Sequence, residues 1–412
     1  MKIMKKRTTL VTFVILTTAL SNISSSFAQD PTPTQSSTPS TSSTAAHWYD
    51  KYSIKGYTQL RYNRLLETNP KLKCEQCDKS WGDGNGFFLR RARLIFSGDA
   101  AERLYIYIQP DFASDGAPNS QQYFQIRDAY FDVALDSSKE FRFRLGQSKV
   151  PYGWENLQSS SNRLALDRTD GINSAAPNER DLGVFFYWAP AEIRKRFKML
   201  VDKGLKGTGD YGVVGAGVYN GQSANRPEGN NNLHKVVRVT YPWELPSGQF
   251  FETSIQGYTG LFTVQNKTTG ISGKDTSTDQ RAAASFIWYP QPLGFQAEWN
   301  VGKGPKYMGA THSIGSANLQ GGYLQAMYKI DVRNQSLTPF TRWQYFAGGK
   351  KQELDARAYR VRDVEVGVEW QPFPALEFTA DYTISDRRMA DATQQSNNQK
   401  GSLLRLQAQF NY

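Results

Sequence analysis

Two cysteines, three histidines and a set of arginines at alternate positions are the side chains of this sequence with the most distinctive chemistry. Cys74 and Cys77 lie in the polar stretch Lys71–Lys79, separated by two residues. A zinc site needs four ligands, and His47, His234 and His312 are far away in sequence. A redox Cys-x-x-Cys opens a helix in a βαβ unit, and no such unit is legible here. The pair reads as a possible local disulfide that pins one loop in an oxidising compartment. Nucleophilic catalysis needs a positioned histidine, and no His-Glu-x-x-His, phosphate-binding glycine loop or Gly-x-Ser-x-Gly occurs. Carboxylates are numerous, but nothing singles out two of them as a glycosidase pair. The expectation is no enzyme, no cofactor and no metal site.

The arginines are more informative because they sit opposite greasy residues. In 140–147, Arg142 and Arg144 alternate with Phe141, Phe143 and Leu145, and in 401–412 Arg405 opposes Leu404, Leu406, Ala408 and Phe410. The same parity assigns Arg61, Arg91 and Arg93 to the polar face. A soluble sandwich also alternates, but segments near ten residues match what a tilted transmembrane strand needs. Aromatics at segment ends (Tyr241-Pro242, Trp288-Tyr289-Pro290, Trp370-Gln371-Pro372) match an interfacial girdle. If the greasy parity faces lipid, the polar parity lines a water-filled channel, where rings of Arg or Lys favour anions.

Sixteen strands are expected between 52 and 412, an even number as bacterial barrels require. The spacing predicts tight turns after strands 2, 4, 8, 10, 12 and 14, with longer polar connections on the other side, such as 66–86, 149–180, 263–280 and 386–400. The longest, 149–180, carries Tyr152, Trp154, Leu157, Leu164 and Leu166 and is expected to fold into the barrel as a constriction. On the short-turn side, 190–210 reads as a helix, with Pro190 at its start and Ile193, Phe197, Leu200 and Val201 at helical spacing. The fold class is thus all-β: a transmembrane antiparallel β-barrel of about 16 strands, with an inward-folded third extracellular loop and a short periplasmic helix.

The rest of the 412 residues fit an exported barrel. Lys2, Lys5, Lys6 and Arg7 precede the apolar run Leu10–Leu20, and Ser26-Phe27-Ala28 supplies small residues for cleavage, so 1–28 reads as a signal peptide. Residues 29–46, rich in Ser, Thr and Pro, read as a disordered periplasmic tail, leaving 47–412 as the barrel. No run of roughly 20 apolar residues suggests a spanning helix, although 13% of residues are aromatic. Net charge is +11, and +7 once the leader is lost, too mild and dispersed to imply nucleic acid.

Five stretches, in order, resemble the phosphate-selective porin O and P family of Gram-negative outer membranes. They are Phe88-Leu-Arg-Arg-Ala-Arg-Leu94, Arg127-Asp-Ala-Tyr-Phe131, Gly146-Gln-Ser-Lys-Val-Pro-Tyr-Gly153, Arg180-Asp-Leu-Gly-Val184 and Gly217-Val-Tyr-Asn-Gly221. The resemblance implies a sixteen-stranded barrel in the outer membrane, assembled as a homotrimer, with a loop at the eyelet and anions guided by arginine and lysine. Arg91, Arg93 and Lys149 fall on the matching stretches, and Arg144 two residues before one, as the eyelet residues that the resemblance implies, and Arg61 and Arg142 join them from parity alone. The expected partners are small anions, with phosphate a candidate, and outer-membrane lipid. Nearly as many inward acids accompany the bases, so a general-diffusion porin without phosphate selectivity is the alternative. A secreted all-β glycan-binding or adhesin protein is the reading from a different class.

Overall fold

The computed structural model describes residues 47–72, 86–112, 124–273 and 276–412. The leader 1–28, the tail 29–46 and the pair Cys74 and Cys77 lie outside the described residues. Trp48–Tyr412 forms one compact unit, and its strands make a single sheet. Sixteen long strands follow one another: β1 (Tyr52–Leu65), β2 (Phe87–Ala101), β3 (Leu104–Asp111), β4 (Gln125–Ala134), β5 (Phe141–Lys149), β6 (Arg180–Trp188), β7 (Val214–Tyr219) and β8 (His234–Glu244) make the first half. The second half is β9 (Phe250–Thr263), β10 (Thr276–Trp288), β11 (Leu293–Met308), β12 (Ser313–Tyr328), β13 (Gln335–Gly349), β14 (Ala358–Phe373), β15 (Leu376–Ala390) and β16 (Asn397–Asn411). Two short pieces, Ser272–Gly273 and Ile330–Val332, extend the sheet at connections.

Neighbouring strands pair antiparallel, and β16 returns to β1 with Tyr57 opposite Asn411 and Tyr62 opposite Leu406. Gly56 and Tyr412 exchange backbone hydrogen bonds of 2.6 and 3.0 Å across this seam. Closure leaves no sheet edge, which is the condition for crossing hydrocarbon with strands. Burial is inverted relative to a soluble protein. On β8, Val237 is 52% exposed while Arg238 is 1% exposed; on β9, Ile255 is 66% and Gln256 5% exposed. Outward rings stack at the short-turn end, where Trp243, Phe251 and Trp288 stand about 6.1 Å apart in sequence across β8, β9 and β10.

Two details depart from simple alternation. Gln59 pairs with Arg91 while Leu60 pairs with Leu89, so Arg90 is an extra residue on β2. Likewise Gln109 pairs with Asp128 while Pro110 pairs with Ile126, so Arg127 is extra on β4. Each is a bulge that leaves two consecutive residues opposite one and re-aims a side chain. The second departure concerns length. Strands β10–β16 run 13–16 residues, more than the roughly 9–11 needed to span. The connection anticipated at 386–400 is therefore largely strand, with only 391–396 between β15 and β16, whereas most of 263–280 remains a connection, 264–275, that carries the short piece Ser272–Gly273. Beyond the lipid belt both faces are polar, as in the pairs Asp386–Lys400 on one face and Arg387–Gln399 on the other, so alternation vanishes while the ladder continues.

The segment after β6 forms α3 (Ala191–Asp202) where the spacing predicts a helix, but it ends at Asp202 instead of running to 210. Ile193 and Phe197 bury against Ala189 and Val213, with Trp188 and Tyr241 alongside. Leu200 joins Leu205, Phe250, Ile287 and Tyr289 in a second apolar cluster that also holds Trp154. The helix is thereby anchored to the barrel wall at one end of its apolar stripe and to the lumen at the other.

Candidate functional site

Residues 150–179, joining β5 to β6, are buried over most of their length, and they hydrogen-bond to strands from both halves of the chain. Two single turns, α1 (Trp154–Leu157) and α2 (Asp170–Asn173), give this loop its shape. The backbone N–H groups of Trp154 and Glu155 donate to the Glu298 carboxylate on β11 at 2.6 and 3.0 Å. Arg342 on β13 bridges Glu155 (2.8 Å) and Glu365 (2.7 Å). Asp170 takes Arg387 of β15 at 2.9 Å and is also paired with Lys350. Arg405 on β16 pairs with Asp167. Gly171 lies so close to the Gly321-Gly322 backbone of β12 that a Cβ would stand 2.7 Å from it. The loop thus lies inside the barrel against β11–β16 and β1.

A second insertion meets it from the short-turn side. Past α3 the chain turns inward, and Lys206 Nζ reaches Glu369 on β14 at 2.5 Å. Gln158 donates to the Lys206 carbonyl and Asn162 to the Gly207 carbonyl, both at 2.7 Å. These contacts join the two insertions directly. Between them and the wall β2–β6 remains a cavity of about 510 Å³.

Eight basic side chains and four carboxylates line this cavity. The acids are all engaged. Asp132 holds Arg144 at 2.7 and 2.9 Å, and Asp128 holds Arg180 at 2.9 Å. Asp210 takes Arg142 at 2.6 Å and Arg194 at 2.8 Å, while Asp99 pairs with Lys139 at 2.7 Å. Burial pushes the Asp210 carboxyl up, but the Arg142 and Arg194 guanidiniums outweigh it and hold it well below the ordinary aspartate range. Among the lining side chains the bases outnumber the acids by four, although Arg93 and Arg180 are also paired with Asp111 and Glu179 outside the lining.

Of the six residues expected from sequence, Arg93, Arg142, Arg144 and Lys149 line the cavity. Arg93 is fixed by Asp111 (2.7 Å), Tyr57 (2.7 Å) and Ser160 (3.0 Å). Lys149 donates to the carbonyls of Leu157 and Gln158 at 2.7 and 3.0 Å. Arg61 and Arg91 are buried elsewhere in the lumen: Arg61 donates to Gln407 (2.8 Å) and the Leu166 carbonyl (3.2 Å), Arg91 to Gln59 (2.8 Å). They stand behind the inward loop, not along the cavity. Burial raises the Asp167 carboxyl, yet Arg405, Arg61, Arg90 and Arg163 together hold it well below its usual range. That cluster puts the bulged Arg90 among the lumen charges.

Parity overlooked Arg90 and Arg127 because a bulge cannot be read from alternation. Arg127 reaches the loop at Asn178 (3.3 Å) and Glu179 (3.6 Å). Arg103, Lys139 and Arg194, which line the short-turn mouth, belong to turns and to α3, where no strand pattern exists to assign a face. Arg180 carried a signal, since it opens one of the stretches that resemble the porin family.

The family model for phosphate-selective porin O and P matches residues 73–412. The chain belongs to that family. No curated protein matches it. Among solved structures it is similar to the outer membrane channel DcaP of Acinetobacter baumannii, at 13% identity and TM-score 0.54, with 88% of this chain and 97% of that one covered. Salmonella typhi OmpF, solved with daunomycin, gives 11% identity and TM-score 0.53 over the same shares. An anion-selective porin from Comamonas acidovorans gives 9% identity and TM-score 0.52, over 88% and 99%. At these identities the likeness establishes the barrel fold. With the family it makes this porin a channel of the Gram-negative outer membrane.

Proposed function

We propose that this porin is a passive pore that prefers small anions, which travel along the cavity between the inward loop and β2–β6. The observation that carries the reading is the cavity's charge: eight bases against four carboxylates, each already paired with a base. Arg93, Arg142, Arg144 and Arg180 each have a carboxylate of their own, so the surplus that a permeating anion meets rests on Lys149 and Arg103, which pair with none among the described residues, and the low-dielectric wall focuses that field. Arg93, Arg142, Arg144 and Lys149 are the pore-lining bases of this reading. Arg61 and Arg91 act behind the loop, raising the local potential and fixing the loop. Phosphate, the solute in the family's description, enters as one admitted anion. The chain acts by diffusion rather than turnover, and the homotrimer implied by the family likeness belongs to the same proposal.

The test is a planar-bilayer recording of the purified mature protein under a KCl gradient, followed by phosphate titration. Current steps with a chloride-favouring reversal potential are expected. A potassium-favouring potential would sink the anion preference, and a folded, detergent-dependent protein that gives no steps would sink the pore. Block by phosphate would add a phosphate site, whereas passage without block would leave a general anion porin. Light scattering in detergent, expected at three copies, checks the assembly.

A further inference from the structure

The cavity holds more aromatic surface than an inorganic anion uses. Tyr107 on β3 and Tyr130 on β4 are cross-strand partners whose rings stack 5.0 Å apart at 10°. Tyr105 and Tyr211 line the same space. The Arg144 guanidinium lies 3.9 Å from the Tyr130 ring centre and 5.7 Å from that of Tyr211, so one cation ties the two rings together. The hydroxyls of Tyr107, Tyr130 and Tyr211 have no hydrogen-bond partner among the described residues. At the deep end, Lys149 has three donors, two of which go to the Leu157 and Gln158 carbonyls. No carboxylate within ion-pair distance neutralises it among the described residues. A site of about 510 Å³ falls in the size range of pockets for organic molecules, roughly 300–1,000 Å³.

We propose that this cavity is a binding site for aromatic carboxylates, with the ring against the Tyr107 and Tyr211 faces, the edge of Tyr130 alongside, and the carboxylate on Lys149. The inference rests on the anion-pore reading and narrows its solute class. A phosphate ion would satisfy Lys149 but leave the tyrosine faces in water. An arene gains from offset or edge contacts with those rings and keeps the charge that draws it in. Acetate carries the same carboxylate without the ring, so the pair benzoate and acetate isolates the aromatic contribution.

The experiment is block of the chloride current through single channels by benzoate, acetate and inorganic phosphate, each titrated at pH 7. Benzoate is expected to half-block at a concentration about tenfold below acetate and below phosphate. In Tyr211→Leu, which lies in the connection after α3 and outside the strands, the benzoate value should rise toward that of acetate. In Lys149→Gln, both carboxylates should weaken together. Channels that conduct chloride but treat benzoate and acetate alike, or that phosphate blocks at the lowest concentration, overturn the aromatic site and leave the anion pore standing. An absence of chloride-selective steps would be the failure of the pore reading itself.

Discussion

At the scale of single residues, the lumen is governed by what a buried charge requires. Asp132 accepts both arms of Arg144, and removing one member of such a pair leaves the other desolvated and uncompensated, at a cost of about 3–5 kcal/mol. Asp132→Asn should lower the unfolding free energy in detergent by up to that amount while shifting the reversal potential further toward chloride. The two readouts move in opposite directions for the porin's fitness, and a neutral effect on selectivity would mean that Arg144 does not face permeating ions. Glu298 works differently, because it accepts from two backbone N–H groups of α1 and from Gln256 Nε2 and has no cation among those partners. Glu298→Ala orphans both backbone donors, a loss of about 2–3 kcal/mol for bonds to a charged group. Channel recordings should then show larger or flickering conductance as the loop loosens. Parity in the sequence made the inward direction of Arg144 legible. It could not identify Glu298 as the loop's anchor, since that depends on contacts between residues 143 or more positions apart.

At the scale of elements, the inward loop and the segment after α3 divide the lumen between them. The helix was legible because Pro190 and the Ile193, Phe197, Leu200 spacing need no partner to be recognised. The inward course of 203–213 was not, because Lys206, Gly207 and Thr208 read as a polar turn until Glu369, Gln158 and Asn162 are seen to hold them. Asp210 fastens this segment through Arg142 and Arg194. A carboxyl held below its unfolded value stabilises the fold above that value, and the contribution is lost as pH falls through the lower, folded one. The fastening should therefore persist at pH 4, near the ordinary aspartate value of 3.8, and fail only in stronger acid. Current noise measured from pH 7 to pH 4 is expected to stay flat in the parent protein, whereas Asp210→Asn should be noisy already at pH 7. Noise that rises in the parent near pH 4 would place the Asp210 carboxyl at its ordinary value and remove the latch.

At the scale of the whole molecule, the decisive event is closure, because two open edges in hydrocarbon would expose unpaired backbone groups at several kcal/mol each. Count and order of strands were legible from alternation, and the final greasy parity ending on Tyr412 marked the last strand. The register of the seam was not, since nothing in either strand alone says that Gly56 meets Tyr412. That meeting explains the glycine: a Cβ there would stand 2.4 Å from the Arg93 carbonyl oxygen and 2.4 Å from the Tyr412 ring. Gly56→Val must displace backbone or the terminal ring, and overpacking of this kind costs about 1–3 kcal/mol at the one place where β16 must find β1. The expected outcome is a reduced yield of the compact, heat-modifiable species on a semi-native gel after refolding into detergent. Gly315→Ala is the matched control, because its nearest neighbour, the Met308 side chain, is 3.6 Å away and ordinary contact results. Equal yields from the two variants would mean that the seam tolerates a side chain and that closure is secured elsewhere along the β1–β16 ladder.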